Sequence, residues 1–194
     1  MMRTALHLGL AISLLALTAC DRPQGAAGNN GSAEAAGEGE SGGKTIGAGL
    51  AQDSRFFQAV KAAGLDSTLT GPGPYTVLVP ADEAFAANPA ASADSWATPE
   101  GRSQLTGLLT YHILPGTVLA EDIGKAIDNA KGKAVLATMG GGTLTATRED
   151  GGIVLTDGSG KKVKVARADD KYSNGVVHHI DGVLTPAAEA APQG

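Results

Sequence analysis

Cysteine is almost missing from this 194-residue chain: Cys20 stands alone, so no disulfide within the chain can hold the fold. Aromatic residues reach only 4%, too few for an aromatic cage or a base-stacking platform. The core must therefore be built from Val, Leu, Ile and Ala within a hydrophobic share of 42%. Positive charge is scarce as well. Lys and Arg number 15 against 20 Asp and Glu, for a formal net charge of -5, and they are scattered or in short clusters, which excludes the basic stripe of a nucleic-acid binder. No apolar run crosses a bilayer comfortably, since residues 5–16 are interrupted by His7, Gly9 and Ser13. A nucleotide loop is excluded too: Gly140-Gly141-Gly142 lacks the helix and Lys-Ser/Thr that phosphate binding needs.

What the N-terminus does contain is a short basic start at residues 1–3, that apolar run, and then Leu17-Thr18-Ala19-Cys20. Small residues before a lone cysteine resemble the lipobox of a bacterial lipoprotein. The resemblance implies a signal peptide over residues 1–19, cleavage before Cys20, lipidation of its thiol and acylation of its new amine, with palmitate as the kind of chain carried. An ordinary secretory signal is the alternative. Asp21 resembles an inner-membrane retention signal, which favours the periplasmic side of the inner membrane over the outer membrane or cell surface. Residues 20–43 are mostly Gly, Ala, Ser, Asn and Glu with almost nothing to bury, which predicts a flexible tether reaching about 25 to 30 Å.

From residue 44 the pattern changes. Ile46, Leu50, Phe56, Phe57, Val60 and Leu65 fall mainly at helical spacing; Asp53 or Ser54 can cap a helix starting near Arg55, and Gly64 with Leu65 suits its end. The turn cluster at 69–74 feeds an apolar strand at 75–79, closed by Pro80. Asp82 is placed to accept from backbone amides at the start of the next helix, which carries Ala84 and Phe85. After a small polar loop at 88–94, Thr98-Pro99-Glu100 opens a helix whose Leu105, Leu108, Leu109 and His112 share one face, until Leu114-Pro115-Gly116 breaks it. A short helix at 120–130 turns Ile123 and Ile127 inward. The period then shortens toward 2, and strands at 135–139, 143–147, 153–156 and 162–166, separated by glycine turns, predict an antiparallel meander. Lys161, Lys162 and Lys164 beside Val163 and Val165 read as an edge strand guarded by lysine. Asn174-Gly175 signals a turn into a closing strand at 176–184, which returns to the strand at 75–79, and residues 188–194 form a polar tail.

Three segments carry a family likeness: Thr76 to Pro80 with Asp82 and Phe85, the pair Tyr111-His112, and Asn174-Gly175 with His178 and Asp181. In this order and spacing they resemble the fasciclin (FAS1) domain family over residues 44–187. Ala81 departs from the pattern, where relatives usually carry Thr. The resemblance implies an α+β fold, an antiparallel β-sheet wedge with helices concentrated in the N-terminal half.

His112, His178 and His179 invite a metal or catalytic reading. On a strand, however, His178 and His179 point to opposite faces, and His179 with Asp181 on its own face lacks a nucleophile or third ligand. His112 and His178 are expected as buried neutral imidazoles that bond backbone groups, and His179 as exposed. Tyr111-His112 matches a pair proposed as an integrin contact in animal relatives. Bacteria have no integrins, and packing is the expected role. Thr76, Pro80, Asp82, Phe85, Tyr111, His112, Asn174, Gly175, His178 and Asp181 are accordingly expected to be structural, with no catalytic, metal or cofactor residue assigned.

The implied function is a noncatalytic adhesion or protein-interaction module in the cell envelope, anchored to the membrane at Cys20. Its expected partner is an envelope or extracellular protein or matrix component, with weak self-association. A carrier binding an apolar lipid or pigment between sheet and helices is the alternative.

Overall fold

The computed structural model describes residues 43–88 and 98–187. The leader, Cys20, Asp21, the tether up to residue 42, most of the loop read at 88–94, and the tail all lie outside the described residues.

The first helices are α1 (Ile46–Gly49), α2 (Arg55–Ala62) and α3 (Asp66–Thr70). Ser54, rather than Asp53, caps α2, its hydroxyl accepting from the Phe57 N–H at 3.2 Å. Gly64 takes a φ of +71° at the far end, and the Leu65 N–H donates back to the Val60 carbonyl at 2.9 Å. Strand β1 (Tyr75–Pro80) runs into α4 (Asp82–Ala86), and α5 (Pro99–Tyr111) begins with the Thr98 hydroxyl accepting from the Gly101 N–H. Directly after α5 comes β2 (Ile113–Pro115), which the sequence suggested only as a helix break. Three residues have no strand period of their own; antiparallel pairing with Tyr75, Thr76 and Val77 makes them a strand. Helix α6 (Ala120–Asn129) buries Ile123 and Ile127.

The meander follows as β3 (Ala134–Ala137), β4 (Thr143–Glu149), β5 (Gly152–Thr156), β6 (Lys162–Tyr172) and β7 (Gly175–Ile180). The seven strands form a sheet in the order β2-β1-β7-β6-β5-β4-β3. Neighbours are antiparallel except for β1 and β7, which run parallel in register from Tyr75 opposite Gly175 to Pro80 opposite Ile180. The closing strand is shorter than the apolar pattern suggested. It stops at Ile180 because Asp181 turns its carboxylate onto the Lys164 N–H at 2.8 Å, and Val183 and Leu184 are buried beyond the ladder. Strand β6 is longer, its polar residues 167–172 still pairing with β7 across two register shifts.

That extension corrects the edge-strand expectation for the lysines. Strand β6 lies between β5 and β7, and the sheet's edges are β2 and β3. Lys162 pairs with Glu149 at 2.6 Å, and Lys161 donates to the Val183 carbonyl at 3.1 Å.

Alternation along β1 divides the interior in two. Val77 and Val79, with Val177 of β7, pack against Ile46, Phe56, Phe85, Leu105 and Leu109 from the helices. Leu78 and Ile180 join a second core with Ile123, Ile127, Leu144, Leu155 and Leu184. Each fully buried aliphatic side chain contributes about 1.5 to 3 kcal/mol, so the two central strands stabilise both cores at once.

Candidate functional site

Thr76 and His178 face the second core from adjacent strands, and both close on the segment between β2 and α6. The Thr76 hydroxyl donates to the Gly116 carbonyl and accepts from the Val118 N–H, each at 2.8 Å. His178 Nε2 donates to the Val118 carbonyl at 2.8 Å, while its Nδ1 accepts from the Asp169 N–H at 3.1 Å. The main chain of Asp169 stands at φ +65° in the irregular part of β6, and its carboxylate accepts from the Ala120 N–H at 2.9 Å. Thus the segment leading into α6, and Ala120 at its first position, are held from three strands, β1, β7 and β6, by side chains far away in sequence.

His112, capping the end of α5, does the same for the C-terminal segment. Its Nδ1 donates to the Leu108 carbonyl at 2.8 Å and its Nε2 accepts from the Leu184 N–H at 3.1 Å. Complete burial pushes the imidazole down to about 4. Beside it, Tyr111 donates to the Thr143 carbonyl at 2.8 Å and accepts from the Gly158 N–H at 3.0 Å. Asp157 completes the group. Its Oδ1 accepts from Ser159 and from the Lys161 N–H, and its Oδ2 accepts from the Thr185 N–H at 2.8 Å. Burial alone would raise its carboxyl, but the bonds from Ser159, Thr185 and Lys161 together hold it below the usual range.

Asn174 does more than the turn chemistry expected of it. Its Oδ1 accepts from the Ile46 N–H at 2.8 Å, and its Nδ2 donates to the Leu69 and Gly71 carbonyls at 2.9 Å. Gly175, at φ +151°, lets β7 approach β1 so closely that a Cβ there would stand 1.9 Å from the Tyr75 carbonyl oxygen. Pro80 ends β1, and Phe85 meets Phe56 edge-on with ring centroids 5.9 Å apart.

Two expectations need correction. Asp82 does not cap its own helix: it is the first residue of α4, and its carboxylate accepts from the Arg55 N–H of α2 at 3.0 Å, tying two helices together. His179 is half-buried rather than exposed, and its acidic neighbour is Asp170, not Asp181: Nε2 lies 3.0 Å from the Asp170 carboxylate and 2.7 Å from Arg167. Burial, and then the Arg167 charge, push its imidazole down.

Chemically, these groups bind the chain's own backbone. Both buried histidines have both ring nitrogens engaged, in opposite tautomers, so neither has a free nitrogen to take a substrate proton. Among the described residues no group of three His, Cys, Asp or Glu side chains is placed to hold a metal. Nor is any described helix long and apolar enough to cross a membrane. The space between helices and sheet is filled by Val77, Val79, Val177, Phe56 and Leu109. An open groove of about 800 Å³ lies at the ends of β1 and β7, lined by Pro72, Pro74, Leu119, Lys171 and Tyr172 among others. Sequence reasoning missed Asp157, in a Gly/Asp stretch that looks like an ordinary turn, and Asp169, in the polar run Arg167-Ala168-Asp169-Asp170-Lys171. The one signal at Asp157 was its place ahead of Gly158-Ser159-Gly160, where a side chain can bond amides two and four residues on.

Helices gathered before a meander whose last strand, β7, lies parallel to β1, with motif side chains bonding backbone, define a structural scaffold. The chain belongs to the fasciclin domain family, whose model matches residues 51–186. It is 36% identical over 141 residues to Protein sll1483 of Synechocystis sp., a match covering 73% of this chain and 71% of that one. To stabilin-1 of Mus musculus it is 33% identical over 153 residues, covering 74% of this chain and 5% of the relative. To the transforming growth factor-beta-induced protein ig-h3 of Sus scrofa it is 34% identical over 142 residues, covering 72% and 19%. The chain thus spans only a small part of these two animal relatives. A FAS1 domain pair from the insect cell adhesion molecule fasciclin I shares the fold, with a TM-score of 0.60 at 20% identity over 73% of this chain and 51% of that one.

Proposed function

We propose that this protein is a noncatalytic adhesion or protein-interaction module of a bacterial cell envelope, anchored by lipid on Cys20. In this reading residues 1–19 are a signal peptide, 20–43 a tether, 44–187 the fasciclin domain and 188–194 a tail. Asp21 retains it on the periplasmic side of the inner membrane, and its partner is an envelope or extracellular protein or a matrix component. The observation that carries the functional part is the occupation of the motif side chains: Thr76, His112, Asn174 and His178 bond backbone, which leaves binding to the exposed surface. The insect relative in the structural match is itself a cell adhesion molecule.

Fractionation of a bacterial host tests the anchor. The intact chain should take up labelled palmitate and sediment with membranes, and Cys20→Ser should do neither. Soluble behaviour of both would remove the anchor. Native mass spectrometry of protein released gently from membranes tests the function. An added protein mass supports the interaction module, whereas a small excess mass lost on denaturation replaces it with the lipid or pigment carrier.

A further inference from the structure

The dipeptide Asn-Gly occurs in this chain at Asn30-Gly31 and at Asn174-Gly175, and it has a chemistry of its own. The glycine nitrogen, with no side chain beside it, can attack Cγ of the asparagine. A new C–N bond forms, the bond from Cγ to the side-chain nitrogen breaks, and ammonia leaves, closing a cyclic imide. Water then opens the ring at either carbonyl. The product is aspartate, or isoaspartate with the main chain running through Cβ. Solvent water is the only co-reactant.

The fold holds Asn174 away from this reaction. To reach the Gly175 nitrogen, the side chain must swing about its own main chain. Its Oδ1 is fixed by the Ile46 N–H at 2.8 Å and its Nδ2 by the Leu69 and Gly71 carbonyls at 2.9 Å. The Asn174 main-chain carbonyl accepts from the Tyr75 N–H at 3.0 Å, and the residue is only 8% exposed. All four bonds must break before the ring can close. The same contacts explain why the pair stands here at all. Only an amide both donates and accepts as this site requires, and Gly175 has no room for a Cβ beside the Tyr75 carbonyl. The junction of β1 and β7 thus demands the pair that its chemistry makes labile.

We propose that Asn174-Gly175 is a deamidation site gated by the fold: closed while β7 lies on β1, open when the closing strand detaches, and barring return to the native state once it has reacted. Either product fails at the junction. Aspartate has no N–H to give the Leu69 and Gly71 carbonyls and sets a negative charge against them. Isoaspartate adds a methylene to the main chain where a Cβ on Gly73 would already stand 2.0 Å from the Asn174 carbonyl oxygen, and one on Gly175 1.9 Å from that of Tyr75. Time spent unfolded is therefore recorded chemically, and a chain that stays open too long is lost to refolding. The inference follows from the β1–β7 junction and does not rest on the envelope reading.

The test ages the full chain carrying Cys20→Ser at mildly alkaline pH, once folded and once in guanidinium chloride, and maps its peptides by mass. Asp150-Gly151, Asp157-Gly158 and Asp181-Gly182 can isomerise without the mass change of amide to acid, so that change counts asparagine alone. In denaturant Asn174 should react as fast as Asn30, which carries the same neighbour. In the folded chain Asn174 should react at least about a hundredfold slower than in denaturant, because only the opened fraction reacts. The denaturant-aged chain is then returned to buffer, and size exclusion separates compact monomer from expanded or aggregated chain. Converted Asn174 should be nearly absent from the compact fraction, while converted Asn30 divides evenly between the two. Weaker protection in the folded chain, an Asn174 inert in denaturant, or converted Asn174 as abundant in compact monomer as converted Asn30 overturns the proposal.

Discussion

Protonation of His112 should release the C-terminal segment, and the size of the effect follows from its burial. The imidazole is wholly enclosed and pushed from 6.5 down to about 4, chiefly by that burial. The bond to the Leu108 carbonyl and the Asp157 charge favour the cation, and Lys161 opposes it. Because the folded value lies below the unfolded one, the unfolded chain binds more protons between them. The stabilisation is therefore complete above pH 6.5 and is lost as the pH falls toward 4. That difference, at about 1.4 kcal/mol per pKa unit, corresponds to about 3.5 kcal/mol in all, of which about 3 kcal/mol is lost by pH 4. The structural event is specific: a protonated Nε2 can no longer accept from the Leu184 N–H. His112→Phe keeps a ring next to Phe56 but cannot titrate and leaves two backbone groups unpaired, costing about 2 to 4 kcal/mol at pH 7. Urea unfolding followed by circular dichroism, run on both proteins from pH 7 to 4, should show the gap between them closing by about 3 kcal/mol, with a slope no steeper than about 1.4 kcal/mol per pH unit. A gap that stays constant across this range would refute the reasoning, since it would mean that the imidazole titrates alike in both states.

Asn174→Ala should cost about 2 to 4 kcal/mol, because it strips partners from the Ile46 N–H and the Leu69 and Gly71 carbonyls together. Hydrogen exchange should locate the damage, with the Ile46 amide losing protection before β7 does. Thr76→Val keeps the shape in β1 but removes the bonds to Gly116 and Val118. It should lower stability by about 1 to 3 kcal/mol and speed amide exchange at the start of α6 while leaving the β1–β7 ladder protected; a uniform change across the domain would contradict the local role.

Periodicity alone placed most elements, because their buried faces repeat at 3.6 or 2: Leu105, Leu108 and Leu109 on α5, Ile123 and Ile127 on α6, Val77 and Val79 on β1. What escaped it depends on pairing at a distance. Ile113 and Leu114 become β2 only because β1 lies alongside, and the polar half of β6 stays extended only because β7 does. The motif polar residues could be named from the sequence, and the buried histidines could be matched to backbone partners in kind. Their destinations could not. Asp82 is four residues from the end of its own helix but bonds α2, and Asn174 reaches across more than a hundred residues to α1 and α3. A carboxylate or amide at a turn satisfies the same local pattern whether it bonds a neighbour or a distant strand, so Asp169 gave no warning and Asp157 only its place ahead of a glycine turn.

The parallel pair of β1 and β7 also governs when the domain can form. Tyr75 meets Gly175 and Pro80 meets Ile180, with α4 to α6 and β2 to β6 looped between them, and residues from both strands enter both cores. Loop closure of that length must precede the contacts that reward it. A chain still emerging from the ribosome has β1, all its helices and most of the meander, yet neither interior can seal until the final strand arrives. Folding is thereby postponed to the end of synthesis, and the chain stays threadable for as long as it is incomplete.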